Sequence, residues 1–144
     1  MNEPIGKLLN KAAQIEQNFV YVENDASEVP ISEIKAAIEH TNLNATATTE
    51  DIRILCEEAK KYQFRSVCIH PSYIPIARDF LSDSVVKIVT VIGFPLGMNS
   101  TVTKAKETEN AIAMGADEVD MVINQGKLKE KSYENVFFDI HKVV

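Results

Sequence analysis

Asp120 lies in the stretch Glu118-Val-Asp-Met-Val-Ile-Asn124, an apolar, β-branched run with its acids two residues apart. In a strand, residues of equal parity share a face, so Glu118, Asp120, Val122 and Asn124 point one way and Val119, Met121 and Ile123 the other. The run before it, Lys87-Ile-Val-Thr-Val-Ile-Gly-Phe-Pro95, is nearly all apolar, as expected of a strand covered on both faces in a parallel α/β sheet. An inward Asp120 on such a wall is a buried carboxylate, which is costly without a partner. Two readings stay open: an acid facing a cation and moving protons, or a structural aspartate that caps a loop through backbone amides.

The other chemically able residues divide quickly. His40 falls on the face opposite Glu39 and Thr41 and is expected to bond helix-side groups. His70 meets Pro71 where a strand ends and reads as structural punctuation; His141 lies on a helix, in solvent. Three histidines so far apart have no metal-ligand spacing, and no H-E-x-x-H is present. Cys68 shares a face with His70, but a thiol nucleophile needs a third, orienting group, so Cys68 reads as a small buried thiol. With Cys56 it makes neither a disulfide framework nor a zinc site. Gly93-Phe-Pro-Leu-Gly97 lacks both nucleotide-binding glycine patterns.

An imine-forming lysine needs a desolvated place near the carboxyl end of a strand. Lys87 is at the wrong end of its strand, Lys104 and Lys106 fall in a helix, and Lys127 and Lys129 fall in a polar loop. None of them fits that role.

The elements that must position these residues follow from spacing. Ile5, Leu8, Leu9, Ala12, Ile15 and Phe19 predict an accessory helix, and the polar run from Glu23 to Pro30 a linker, so that residues 1–31 form an extension and 32–144 the main unit. Ser32 is expected to cap a short helix ending near Ile38. Strands are predicted at 39–43, 66–70, 87–94 and 118–124. Helices follow them: one opened by Thr48 and Asp51 with Ile52, Leu55, Cys56 and Ala59 inward, and one from about Ser72 with Ile76, Ala77, Phe80 and Leu81 inward. A third runs over about 101–114 and stops at Gly115; a fourth, from Ser132, turns Val136, Phe137, Ile140 and Val143 inward. Four βα units of ~30 residues predict a parallel sheet with right-handed crossovers and its chemistry at the strands' carboxyl ends, at 41–44, 68–71, 93–97 and 120–124.

Composition narrows the classes. The 144 residues, 45% hydrophobic and 25% charged, suit one globular domain. With 15 Lys+Arg against 21 Asp+Glu, the net charge of -6 disfavours nucleic acid while permitting a local cationic pocket for a phosphate. There is no apolar run of the ~20 residues a membrane span needs and no signal-sequence pattern, so a cytoplasmic protein with no membrane partner is expected.

Four motifs, Glu39-His-Thr-Asn-Leu43, Ser66-Val-Cys-Ile-His-Pro71, Val89-Thr-Val-Ile-Gly-Phe-Pro-Leu-Gly97 and Gly115-Ala-Asp-Glu-Val-Asp-Met-Val-Ile-Asn124, stand in the order of the first half of the deoxyribose-phosphate aldolases, which the chain resembles from about Glu33 onward. The resemblance implies the first four βα units of a TIM (β/α)8 barrel, carrying here an N-terminal helical extension. It implies a class I aldolase with no metal or cofactor, which splits 2-deoxy-D-ribose 5-phosphate into D-glyceraldehyde 3-phosphate and acetaldehyde through a lysine imine, in cytoplasmic deoxyribonucleotide catabolism. By motif, Asp120 matches the aspartate that works with two lysines in proton transfer, and Thr41, Cys68 and Phe94 match positions lining the sugar end of the pocket. Glu39 stands where the family usually has aspartate.

The two lysines belong to the sixth and seventh strands of such a barrel. This chain is therefore expected to be a truncated or split aldolase with no Schiff-base lysine of its own, inactive alone. Its open edges and uncovered inner wall should expose backbone and apolar side chains and drive it to pair with another copy or with a C-terminal half. Two other readings are a non-catalytic half-barrel assembly module and a flavodoxin-like domain with a switch in strand order, though the latter generally wants a fifth strand.

Overall fold

In the computed structural model, which describes residues 3–21 and 29–144, the elements start and stop on local signals. Helices α1 (Glu3–Asn18) and α2 (Ile31–Ala37) precede strand β1 (Glu39–Asn42). The 23–28 part of the expected linker lies outside the described residues. Helix α3 (Thr49–Tyr62) opens on the capping box: the Asp51 amide donates to Thr48 Oγ1 (3.2 Å) and the Thr48 amide to Asp51 Oδ2 (2.7 Å). Then come β2 (Ser66–Ile69), a 3₁₀ turn over Pro71–Tyr73, α4 (Ile74–Phe80) and β3 (Lys87–Ile92). Helix α5 (Thr101–Met114) is capped by Ser100 and ends at Gly115, before β4 (Glu118–Met121), α6 (Gln125–Lys129) and α7 (Tyr133–Val143).

The four strands are parallel and adjacent in the order β1-β2-β3-β4. Thr41 stands beside Cys68, Cys68 beside Val89, Val89 beside Glu118 and Val91 beside Asp120. Consecutive order is what a barrel needs. It removes the flavodoxin-like reading, which requires the order to reverse within the sheet. Among the described residues no helix is long and apolar enough to cross a membrane.

Ile52, Leu55, Cys56 and Ala59 of α3 pack with Val67, Ile69, Ile88 and Ile92 on the helix side of the sheet, with Ile74, Ala77 and Leu81 joining from around α4. A smaller cluster on the inner face consists of Cys68, Val89 and Val91, with Leu43 packed against it. The inner wall was expected to expose its apolar side chains; instead Val89 is fully buried and Val91 nearly so. Leu43, just past β1, packs against this cluster.

Several local expectations are corrected. Ser32 does not cap α2: Pro30 holds the N-cap position, and its carbonyl accepts from the Glu33 and Ile34 amides. The polar loop carrying Lys127 and Lys129 is the short helix α6, started by Asn124 Oδ1 accepting from the Lys127 amide (3.0 Å). On α7, Val136 is buried as expected but Ile140 is exposed, and the second buried position is Asp139. Along α1, Ile5 is buried while Leu8, Leu9 and Ile15 stay exposed, and Phe19, expected on the same helix, lies exposed just past its end.

Candidate active site

Strand parity brings three of the expected residues together. A carboxylate oxygen of Glu39 on β1, Sγ of Cys68 on β2 and a carboxylate oxygen of Asp120 on β4 all lie within 4.8 Å of one another. Thr41 projects from β1 next to them, exposed, with its hydroxyl donating to the Glu39 carbonyl (3.0 Å). Phe94, in the loop after β3, is 40% exposed and meets the His70 ring edge-on at 5.7 Å.

Asp120 is not buried. It is exposed to solvent, and no ion pair to it is formed among the described residues. The inward direction read from parity holds, but four strands leave the face in front of Asp120 open, so the carboxylate is hydrated where a closed wall would have stripped it.

The cations of this face lie lower, at the amino ends of the strands. Arg65 Nη1 donates to Glu39 Oε1 (2.7 Å), a second Arg65 nitrogen reaches Glu118, and Lys87 Nζ donates to Glu118 Oε1 (2.6 Å). Those two cations, Lys87 first, hold the Glu118 carboxyl below the usual range. Glu39 therefore belongs to both a structural ion network and the candidate pocket, a double role that motif reading alone did not show.

Burial pushes the Cys68 thiol up to about 11, and the charges of Asp120 and Glu39 add to the rise. A thiol so placed is neutral near pH 7 and a poor nucleophile, in line with the small buried thiol expected from sequence. The three donors are close enough to share a cation, yet binding one would require that thiol to ionise between two acids, and Arg65 already occupies a Glu39 oxygen.

The histidines behave as expected. His40 Nε2 pairs with Glu58 Oε2 on α3 (2.7 Å), His70 Nε2 bonds the Leu43 carbonyl (3.1 Å), and His141 is exposed and stacked on Phe137. What sequence reading missed is a group behind the rim. Lys104 is fully buried in α5 and pairs with Asp139 of α7. The signal was present: Lys104, Thr108 and Ala111 have the i, i+4, i+7 spacing of an inward stripe, with a lysine where an apolar residue would be usual.

Comparison with known proteins bears on this arrangement. Residues 33–143 match the model of the DeoC/LacD family aldolases. The deoxyribose-phosphate aldolase of Thermotoga maritima is 54% identical over 114 residues, which are 79% of this chain and 46% of that protein. Among solved structures, a Coccidioides immitis protein assigned as a deoxyribose-phosphate aldolase aligns with TM-score 0.84 and 36% identity over 99% of this chain and 56% of that one. A tetrameric deoxyribose phosphate aldolase from Aeropyrum pernix aligns with TM-score 0.66 and 30% identity over 78% and 50%. The chain spans about half the length of the curated relatives it matches, and its four βα units are those of a partial TIM barrel.

Proposed function

Because the chain belongs to the DeoC/LacD family of aldolases, we propose that it supplies the acid-bearing half of a class I aldolase site acting on 2-deoxy-D-ribose 5-phosphate. The observation that carries this reading is the meeting of Glu39, Cys68 and Asp120 on the inner wall.

In that reaction a lysine amine, contributed from outside these residues, condenses with the aldehyde carbon of the open-chain sugar and releases water. The C3 hydroxyl loses its proton, the C2–C3 bond breaks, and its electron pair flows into the iminium to leave an enamine. Glyceraldehyde 3-phosphate departs, the enamine takes a proton at C2, and water returns the lysine and acetaldehyde. Asp120, hydrated and unpaired, passes these protons through water or a lysine brought opposite it. Glu39 and Thr41 offer an acceptor and a hydroxyl to the sugar, while Cys68 and Phe94 line its path. The cytoplasmic breakdown of deoxyribonucleotides is where such a cleavage belongs.

Borohydride trapping with acetaldehyde tests the proposal. The chain alone should gain no reduced adduct, and the chain mixed with the complementary half of the Thermotoga maritima relative should gain one, on a lysine of that half. An adduct on this chain alone, or none in the mixture, would sink it.

A second reading has one observation in its favour. Asp120 is at ease in solvent without a cation, as it would be in a non-catalytic assembly module. In that case Asp120→Asn leaves the behaviour of the reconstituted barrel unchanged.

A further inference from the structure

Helix α5 grips the carboxyl ends of two neighbouring strands with polar side chains. Lys104 Nζ donates to the Val122 carbonyl (2.9 Å), just past β4, and to Asp139 Oδ2 (2.6 Å); Asp139 Oδ1 in turn accepts from Thr101 Oγ1 (2.9 Å). One turn along, Glu107 Oε2 accepts from the Gly93 amide (2.9 Å), just past β3. The Lys104 stem passes so close to Gly93 that a Cβ there would stand 3.0 Å from Lys104 Cε. The two loops also meet directly: a Cβ on Gly97 would fall 2.0 Å from the Ile123 carbonyl oxygen.

Burial of a lone ion pair between two helices adds little net stability, and an apolar pair would hold α5 to α7 as well. An apolar pair would, however, offer no donor to a strand-end carbonyl. We infer that Lys104, held by Asp139, is a positioning residue for the candidate site: it anchors the Val122 carbonyl, two residues beyond Asp120, and thereby fixes the backbone as it leaves β4. Lys104 acts only through the backbone. The inference rests on the reading of Asp120 as the reacting acid, whose carboxylate lies within 4.8 Å of Sγ of Cys68 and a carboxylate oxygen of Glu39.

The test uses the 144-residue chain with Lys104→Met/Asp139→Leu, which removes both charges at once, beside Lys104→Met alone, which strands Asp139. The readouts are exchange of the Val122 amide, which donates to the Ile92 carbonyl (2.9 Å), relative to the amides of β2, and the ¹³C resonance of the Asp120 carboxylate. The double variant should exchange at the Val122 amide about tenfold faster relative to β2, a local opening, and should shift the Asp120 resonance. Lys104→Met alone should also melt at a lower temperature than the double variant. Unchanged relative exchange with an unmoved Asp120 resonance would overturn the inference, and so would a uniform rise at all amides, which marks simple destabilisation. None of these readouts involves imine trapping, so failure of the proposed aldolase chemistry is recorded separately.

Discussion

Asp120 faces inward yet is exposed, so its carboxylate carries no burial cost in the isolated chain and its substitution separates function from folding. Asp120→Asn should leave the melting transition within the ~0.5 kcal/mol usual for surface changes. In the reconstituted barrel the same substitution should lower turnover by the ~10²–10⁴-fold typical of a lost general acid or base. Equal turnover would favour the assembly-module reading. Cys68 reports on the same carboxylate. With its folded value raised to about 11, chiefly by burial and then by Asp120 and Glu39, the thiol keeps its stabilising neutral form below the ordinary thiol range and loses that contribution as pH rises through about 11. A pH series of thiol alkylation should show Cys68 reacting slowly at neutral pH, and in Asp120→Asn its midpoint should move down while staying above the ordinary value. An unmoved midpoint would mean that the carboxylate does not face the sulfur.

At the scale of elements, what was legible in the sequence is what local chemistry decides. Thr48 and Asp51 announce α3 because each satisfies the other's backbone amide, and Thr48→Ala should cost about 1 kcal/mol by chemical denaturation. The end of α5 at Gly115 was equally readable. Ser32 misled because Pro30 starts α2 with its backbone carbonyl, which side-chain patterns do not record. Asp139 was missed because its reason for being buried is Lys104, 35 residues away, and periodicity sees one helix at a time. The network at the amino ends of the strands was hidden in the same way, since Arg65, Lys87 and Glu118 meet only once the sheet is in register. Glu118, held low by Lys87 and then Arg65, contributes stability that is complete above the ordinary glutamate value of ~4.3 and is lost as pH falls through its lower folded value. Denaturation followed from pH 6 to pH 2 should therefore show a shallower acid limb for Glu118→Gln than for the parent; identical limbs would mean that the network adds nothing.

For the whole molecule, the burial of Asp120 expected from a fully covered sheet gave way because coverage belongs to the closed barrel, and four strands do not close. The face, the strand order and the pairing of motifs with strand ends survive that change, since they depend only on parity and on right-handed βα connections. Among the described residues, β1 and β4 are the two edges of the sheet. Two copies could join β4 of each to β1 of the other in the continuous parallel order that closes eight strands. On the proposed reading, such a dimer would set two Asp120 carboxylates in one mouth, whereas a complementary half would pair the same edges and bring the imine-forming amine. Light scattering across a concentration series should therefore show a monomer–dimer equilibrium for the chain alone, and adding the complementary half should deplete the homodimer as trapping activity rises. A monomer that persists at high concentration with both edges open would refute this account of closure. A homodimer that traps acetaldehyde by itself would overturn the division of the site between halves.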